Sequence, residues 1–240
     1  MSQSKKLADI YQDTVRFCEK NKRKFEKSVN TVYSFNLLNE GVSLGDKRTV
    51  LQVLNEDTLT TALALRKESL NPLILNMASE RKPGGGVERG AAAQEESLFR
   101  RTNYCLNLDD EFYPLPFDHV IYSSNIAVIK DEKHRELNTF EYFGFLACPG
   151  LRNPGKLSLS LRSSLKKKIS LIFQVALHHK HDSLVLGALG AGVFRTPCAD
   201  VAEVFKEVVE EYKGCFTKIV FAVLGEPNYS IFKDILGERN

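Results

Sequence analysis

The chain has 240 residues, of which 43% are hydrophobic and 26% are charged. This length suits one domain that can bury its own core without disulfides or structural metal, and the composition excludes a disordered or membrane-spanning chain. The 33 basic and 30 acidic residues leave a formal charge of only +3, which gives no indication of nucleic-acid binding. We therefore expect a single domain over 1–240 that acts as a monomer.

The first 45 residues are polar and basic, and an amphipathic pattern over 7–25 predicts a helix there. We expect 1–45 to form an N-terminal helical extension, either a cap on the main sheet or a segment with a task of its own. The start of the chain lacks the apolar core of a secretory signal, and no apolar run has membrane-spanning length. Five scattered cysteines form no Cys-x-x-Cys pair and indicate reduced thiols. These features predict a cytoplasmic protein without a membrane partner.

From about Thr49 onward, short apolar runs alternate with longer amphipathic segments, which is typical of successive βαβ units. Strands are predicted at 50–54, 72–77, 119–123, 126–129, 143–148, 183–188 and 216–224. Helices are predicted from caps at Asn55 and Asp57 through Arg66, then over 91–106, 158–181 and 200–212, with a short closing helix. Because the strands are apolar on both faces and helices follow them, we predict a mixed sheet between layers of helices.

The first of two glycine-rich loops follows the buried strand that ends near Asn76. It contains Gly84–Gly86 and leads into Gln94–Glu96 at the head of the next helix. A fold that keeps three consecutive glycines usually needs backbone to pass very close to another group, and a ligand is one candidate. A triple glycine alone is more often a flexible turn, and carboxylates at a helix start often only complement its dipole. The two features together are a stronger indication of a site.

The second loop runs from Gly187 to Pro197 ahead of a predicted helix. Successive backbone N–H groups in such a turn form an anion nest that suits a phosphate or diphosphate. The loop has no Gly-Lys-Ser/Thr and lacks the last glycine of Gly-x-Gly-x-x-Gly, which argues against nucleotide triphosphatases and Rossmann dehydrogenases. Phe194 is a candidate for stacking on a ribose or base, and is equally a candidate for a core aromatic.

Two clusters of basic residues have simple structural interpretations. His178, His179 and His181 lie at the end of a predicted helix, where cations complement the helix dipole, and no further ligand stands at metal spacing. We therefore predict no metal site. The run Lys166–Lys168 is predicted to be a solvated helix face, with contact to an anionic polymer as the alternative.

The spacing of the first loop resembles that of a known family. Gly84–Gly86, seven intervening residues and Gln94–Glu96 match the signature of the bacterial-type poly(ADP-ribose) glycohydrolases, a branch of the macrodomain superfamily. The similarity extends from the segment after Val53 to Gly192–Phe194, although Ser79 stands where macrodomains commonly have a second asparagine. The resemblance implies a macrodomain-like three-layer α/β/α fold with a central mixed β-sheet.

The resemblance also implies roles for individual residues. Glu96 would be the catalytic glutamate, and Glu95 would bind the ribose hydroxyls at the scissile bond. The implied substrate-binding residues are Asn76, Gly84, Gly85, Gly86, Gln94, Gly190, Ala191, Gly192, Val193 and Phe194. No metal or cofactor is implied, and the partners would be poly(ADP-ribose) or ADP-ribosylated protein, with ADP-ribose as product ligand and no specific nucleic acid.

The implied reaction is hydrolysis of ribose–ribose O-glycosidic bonds, in which Glu96 protonates the departing oxygen and then activates water. A helix N-terminus favours the ionised carboxylate, whereas burial and the neighbouring Glu95 oppose ionisation, so the sequence leaves the balance open. Two alternatives stay open as well. The protein could remove mono-ADP-ribose from protein side chains, or it could be a reader that binds ADP-ribose without cleaving it.

Overall fold

The computed structural model describes residues 2–39, 45–153 and 155–237. Within them seven strands form one sheet, β1 (Asn30–Ser34), β2 (Val50–Leu54), β3 (Pro72–Asn76), β4 (His119–Lys130), β5 (Glu136–Ala147), β6 (Ser183–Leu186) and β7 (Lys218–Ala222). The strand order is β1-β4-β5-β3-β6-β7-β2. The pairs β1–β4 and β4–β5 are antiparallel, and all other neighbours are parallel. The predicted mixed sheet is confirmed.

Six α-helices in the same residues accompany the sheet, α1 (Gln3–Asn21), α2 (Thr58–Lys67), α3 (Gln94–Arg101), α4 (Leu159–His178), α5 (Cys198–Glu211) and α6 (Asn228–Leu236). Helices α4, α5 and α6 share one hydrophobic core with the sheet, and α2 and α3 share another. Strand β3 divides the two cores, because Leu73 and Leu75 face the first and Ile74 faces the second. The predicted three-layer α/β/α arrangement is confirmed.

Two predicted elements differ from the structure. The helix predicted over 91–106 is shorter, because Thr102 leaves the helix to bridge Val128 and a 3-10 helix follows at Asn103–Leu106. The strands predicted at 119–123 and 126–129 are one strand, β4, whose register shifts around Asn125. Asn125 has a φ of 52°, and such a left-handed residue interrupts the apolar pattern while the ladder continues beyond it.

Strand β1 and the first half of β5 were missing from the prediction. Strand β1 lies at the edge of the sheet, and its side chains are half-buried or exposed. Residues 136–142 of β5 are likewise half-buried or exposed, whereas 143–147 are buried. A prediction that depends on apolar runs misses such strands because their side chains face water.

Helix α1 docks on helix α3 and on the loop before it. The Thr14 hydroxyl donates a hydrogen bond to the Arg100 carbonyl at 2.7 Å, and Arg100 Nε donates to the Leu7 carbonyl at 3.1 Å. The backbone of Gly90 lies against that of Ser4 so closely that a Cβ at Gly90 would overlap the Ser4 oxygen. The N-terminal helix therefore braces both ends of the segment that carries Glu95 and Glu96.

The prediction that Lys166–Lys168 is a solvated face was wrong for Lys168. This side chain is fully buried, and its ammonium donates to the carbonyls of Phe117 and His119. Lys166 pairs with Glu207 and Glu211 on helix α5, and Lys167 is exposed. Burial of an ammonium is tolerated here because backbone oxygens replace its water.

The three histidines pack against protein groups. The His179 ring stacks on Tyr122 with 3.6 Å between ring centroids, and burial lowers the pKa of His179 to about 4. The ring nitrogens of His181 reach the Asn71 carbonyl and the Tyr122 hydroxyl. Across the residues described, no three His, Cys, Asp or Glu side chains are grouped to hold a metal ion. The helices described are also too short or too polar to span a membrane.

Asp57 joins the head of α2 to the end of α3. Its carboxylate accepts hydrogen bonds from the backbone N–H groups of Leu59 and Thr60, both at 3.0 Å, and so caps α2 as predicted. The same oxygen pairs with Arg101, whose side chain is only 3% exposed. One carboxylate therefore fixes the position of α3 relative to α2.

We expect Asp57→Ala to lower the free energy of unfolding by about 3–5 kcal/mol, because it leaves the buried Arg101 guanidinium unpaired. Urea denaturation followed by circular dichroism measures the change. Asp57→Asn keeps the cap and removes the charge, so it should be more stable than Asp57→Ala by about 1 kcal/mol. A wild-type stability in Asp57→Ala would show that the pair does not hold α3.

Candidate functional site

Three neighbouring strands of the sheet deliver the loops of the site. Strands β5, β3 and β6 are adjacent and parallel, so their carboxyl ends meet at one edge. The loops after β3 and β6 and Arg152 after β5 line a crevice of about 570 Å³. A smaller cavity of about 110 Å³ adjoins it and shares the walls formed by Met77, Ala78, Ala93, Val193 and Phe194. The combined space is of the size that small-molecule sites have.

Most of the residues predicted from the sequence lie in these walls. The larger crevice is lined by Gly85, Gly86, Glu95, Glu96, Val193 and Phe194, and the smaller cavity by Gln94, Gly190, Gly192, Val193 and Phe194. Asn76, Gly84 and Ala191 line neither cavity. Asn76 and Gly84 instead lie behind the wall, where both donate hydrogen bonds to Glu95.

The Glu95 carboxyl group is buried and held by three donors. It accepts hydrogen bonds from the backbone N–H of Ser79 at 2.8 Å, from that of Gly84 at 3.2 Å and from the Asn76 amide at 3.3 Å. Burial raises the pKa of Glu95 to about 8, against the opposing effect of the Ser79 and Asn76 hydrogen bonds, and the nearby Glu96 adds to the rise. Glu95 is therefore mostly protonated at neutral pH.

Only one oxygen of the Glu96 carboxyl group accepts a hydrogen bond from the described part of the protein. Its Oε1 accepts a hydrogen bond from the Gly86 N–H at 2.9 Å. Its Oε2 is buried and has no hydrogen-bond partner within the described part of the chain, and the same is true of Asn76 Oδ1. Buried polar atoms in native proteins nearly always have a partner. Of the two residues only Glu96 lines the crevice, so its Oε2 is placed to bind a donor group of a ligand, whereas Asn76 is fully buried behind the wall.

The triple glycine lies directly on the two carboxyl groups. Gly84 and Gly85 have φ values of 69° and 52°, a conformation that favours glycine. A Cβ on Gly85 would lie 2.8 Å from Glu96 Oε1 and 3.0 Å from Glu95 Oε2, and one on Gly84 would lie 2.8 Å from the Phe99 ring. The close approach that the sequence led us to expect is therefore to the protein's own carboxyl groups.

The side chain of Gln94 fixes the first turn of α3. Its Oε1 accepts a hydrogen bond from the Met77 N–H at 3.0 Å, and its Nε2 donates to the Leu75 carbonyl at 2.7 Å and to the Thr58 hydroxyl at 3.3 Å. These contacts bind α3 to the end of β3 and to the start of α2. They fit a positioning role better than the substrate-binding role predicted from the sequence.

The second loop presents unpaired backbone donors. Gly190 has a φ of 79°, and its carbonyl accepts a hydrogen bond from the Thr196 N–H at 3.0 Å, which closes the turn. In the described structure the backbone N–H groups of Gly192, Val193 and Phe194 have no protein acceptor. Three consecutive donors without a protein acceptor are consistent with the anion nest predicted from the sequence, which stays a prediction.

Phe194 and Arg152 lie together in the wall. Phe194 is half-buried and lines both cavities rather than the core. The Arg152 guanidinium lies 4.3 Å from the centroid of the Phe194 ring and forms an ion pair with Glu80 at 3.0 Å. Sequence analysis missed Arg152 and Glu80, because single charged residues in separate loops carry no pattern. The one available signal was that Arg152 follows a buried strand, as both glycine-rich loops do.

A three-layer α/β/α fold with paired buried carboxyl groups beside an anion nest defines a macrodomain-like protein. The family model described as "Microbial-type PARG, catalytic domain" matches residues 2–131, more than half of the chain. The chain therefore belongs to the microbial-type PARG family.

Solved structures are similar over most of the chain. Poly(ADP-ribose) glycohydrolase from Thermomonospora curvata is 27% identical, with a TM-score of 0.83 over 95% of this chain and 98% of that one. The Deinococcus radiodurans poly(ADP-ribose) glycohydrolase in complex with ADP-ribose is 28% identical, with a TM-score of 0.75 over 86% and 94%. An uncharacterized Sulfolobus acidocaldarius protein is 32% identical over 87 residues, which are 36% of this chain and 44% of that protein. The chain thus matches less than half the length of this last relative.

Gly85 allows a test of the packing of the loop against the carboxyl groups. We expect Gly85→Ala to lower the free energy of unfolding by about 2–4 kcal/mol, from the left-handed backbone and from the overlap with both side chains. The matched control is Gly225→Ala, which has a φ of 86° and open space around the added Cβ. It should show only the backbone part, about 1–2 kcal/mol. Equal losses in the two variants, measured by urea denaturation, would contradict the close packing.

The raised pKa of Glu95 makes stability depend on pH. The folded protein keeps the proton on Glu95 up to about pH 8, whereas the unfolded chain releases it near the usual glutamate pKa of 4.5. The stability that this proton contributes is complete below about pH 4.5 and is lost as the pH rises through 8.

Glu95→Gln has no proton to lose at this position, so it serves as the reference. Relative to it, wild type should lose at most about 1.4 kcal/mol of unfolding free energy per pH unit between pH 5 and 8. Urea denaturation of both proteins at each pH gives the difference. A difference that stays constant over this range would show that Glu95 titrates as in the unfolded chain.

Proposed function

We propose that the protein hydrolyses the ribose–ribose O-glycosidic bonds of poly(ADP-ribose) and releases ADP-ribose, with Glu96 as the acid–base group. The main observation behind the proposal is that the two oxygens of Glu96 differ. The N–H of Gly86 donates a hydrogen bond to Oε1, whereas the buried Oε2 has no hydrogen-bond partner in the residues described. Membership of the microbial-type PARG family and the similarity to solved poly(ADP-ribose) glycohydrolases support it.

The smaller cavity suits the diphosphate of one ADP-ribose unit, and the larger crevice suits the ribose at the bond to be cleaved. The free N–H groups of Gly192, Val193 and Phe194 suit the diphosphate, and the Phe194 ring suits stacking on a ribose. A ribose placed between this loop and α3 reaches the Glu95 and Glu96 carboxyl groups in the larger crevice. The scissile bond then lies beside Glu96.

The two carboxyl groups take different roles in this mechanism. Glu96 donates its proton to the departing ribose oxygen, the C–O bond breaks, and an oxocarbenium-like ribose remains. The resulting carboxylate then takes a proton from water as that water attacks the anomeric carbon, which restores the acid. The bound diphosphate stabilises the positive charge. Glu95 is mostly protonated, so it does not compete as the base and instead orients the ribose through its hydroxyls.

We also propose that the protein acts as a monomer, as one domain over 1–240, and without metal or cofactor. The contacts of α1 with Arg100 and Gly90 support the single-domain assignment, because they join the N-terminal residues to the carboxyl-bearing segment. Two alternatives remain as outcomes of the test below, the removal of mono-ADP-ribose from protein and the binding of ADP-ribose without cleavage.

Glu96→Gln should separate chemistry from binding. We expect the release of ADP-ribose from poly(ADP-ribose) to fall by a factor of about 10²–10⁴, because the amide cannot donate and recover the proton. The affinity for ADP-ribose, measured by calorimetry, should stay within about tenfold, since a single hydrogen bond to the product contributes roughly 0.5–1.5 kcal/mol. Chromatography of the released nucleotide gives the rates.

The matched control is Glu210→Gln, the same chemical change at an exposed glutamate that pairs with Lys213 on the surface. It should retain wild-type activity. Binding of ADP-ribose by wild type without any release would favour a reader, and release only from mono-ADP-ribosylated protein would favour the other hydrolase. Loss of binding and turnover together in Glu96→Gln would remove Glu96 as a purely chemical group.

A further inference from the structure

The larger crevice, which contains the carboxyl groups, is also lined by a rim of cationic side chains. Arg81, Lys82 and Arg89 line this crevice and do not line the smaller cavity that holds the anion nest. They come from the two arms of the glycine turn, just before Gly84 and just after Gly86. The cationic rim therefore shares the larger crevice with Glu95 and Glu96, outside the smaller cavity.

Ion pairs neutralise part of this rim, and they leave one member free. Lys82 pairs with Glu88 at 2.7 Å, and Arg81 lies 3.8 Å from Glu80. Arg89 is exposed and has no ion pair or side-chain hydrogen bond within 2–39, 45–153 and 155–237. The neighbouring Glu88 attracts Arg89 electrostatically but forms its ion pair with Lys82, so the Arg89 guanidinium keeps its N–H groups for a phosphate, which it can contact through two parallel N–H groups.

The substrate places an anion on that side of the scissile bond. When the nest holds the diphosphate of the unit that is released, the next unit of the polymer leaves the crevice past the carboxyl groups. That unit carries a diphosphate of its own, whereas free ADP-ribose has no group there. A cation at the rim therefore contacts the polymer and does not contact the product.

We propose that Arg89, with Lys82 and Arg81 beside it, forms a phosphate-binding subsite for the polymer unit next to the scissile bond. This proposal rests on the proposed function. It makes Arg89 a specificity-determining residue that favours chains of ADP-ribose over a single unit, because its contact exists only when a neighbouring unit is attached.

The test compares polymer binding with monomer binding in protein that does not cleave. In the Glu96→Gln background, Arg89→Gln should weaken the binding of an end-labelled ADP-ribose oligomer about tenfold, the loss typical of one charge-assisted hydrogen bond. The affinity for ADP-ribose should not change. The dependence of oligomer binding on salt should also become shallower, because one fewer phosphate is neutralised. In otherwise wild-type protein, the same change should raise KM for the polymer about tenfold and leave kcat within twofold.

Two further variants complete the experiment. Arg89→Lys keeps the charge and should keep most of the oligomer affinity. Arg48→Gln removes an exposed arginine that precedes β2, at the amino ends of the parallel strands and so away from the site. This variant should match the parent protein in every measurement. Equal oligomer affinity with and without Arg89 would overturn the subsite, and so would a parallel loss of ADP-ribose affinity.

The outcome for the subsite is separate from that for the proposed function. Cleavage of the polymer by wild type, with no effect of Arg89→Gln, would refute the subsite alone. Oligomer binding that depends on Arg89, without cleavage by wild type, would refute the glycohydrolase activity and leave the subsite in place.

Discussion

The structure of the site depends on the hydrogen bonds that the glycine loop donates to two adjacent buried carboxyl groups. Glu95 and Glu96 stand side by side in the first turn of α3, and burial together with the nearby Glu96 raises the pKa of Glu95. The backbone N–H groups of Gly84 and Gly86 replace water as donors, together with that of Ser79. A Cβ on Gly85 would lie 2.8 Å from Glu96 Oε1 and 3.0 Å from Glu95 Oε2, and so the triple glycine and the glutamates form one structural unit.

The number of donors differentiates the two carboxyl groups. Glu95 receives three hydrogen bonds and lies deeper, while Glu96 receives one and keeps an oxygen without a partner in the described residues. Adjacent residues on a helix point about 100° apart, so the same loop can enclose one and only touch the other. The helix geometry thus places a carboxyl group held by three donors beside one held by a single donor, which suits the acid–base role that we propose for Glu96.

The sequence predicted the elements whose side chains are buried, and it failed where exposed or distant groups decide the structure. Strands β3 and β6 are buried throughout, and their apolar runs placed them within two residues at either end. Strand β1 is exposed at the sheet edge and gave no such run. Lys168 looked like a surface charge because its acceptors, the Phe117 and His119 carbonyls, lie about 50 residues away in sequence. Gly84–Gly86 and Glu95 were predicted as site residues because they contact each other and also lie close together in sequence.

The site residues come from two separate parts of the chain, and the strand order of the sheet brings these parts together. Residues 2–131, which the family model matches, contain α1, the glycine loop and α3, so this segment includes the carboxyl groups and the helix that braces them. The anion nest and Arg152 lie outside it, and they reach the carboxyl groups because β5 and β6 pair with β3 on either side. The carboxyl groups and their bracing are therefore fixed by contacts that are near in sequence or come through α1. The anion nest that we propose for the diphosphate depends instead on the pairing of β5 and β6 with β3.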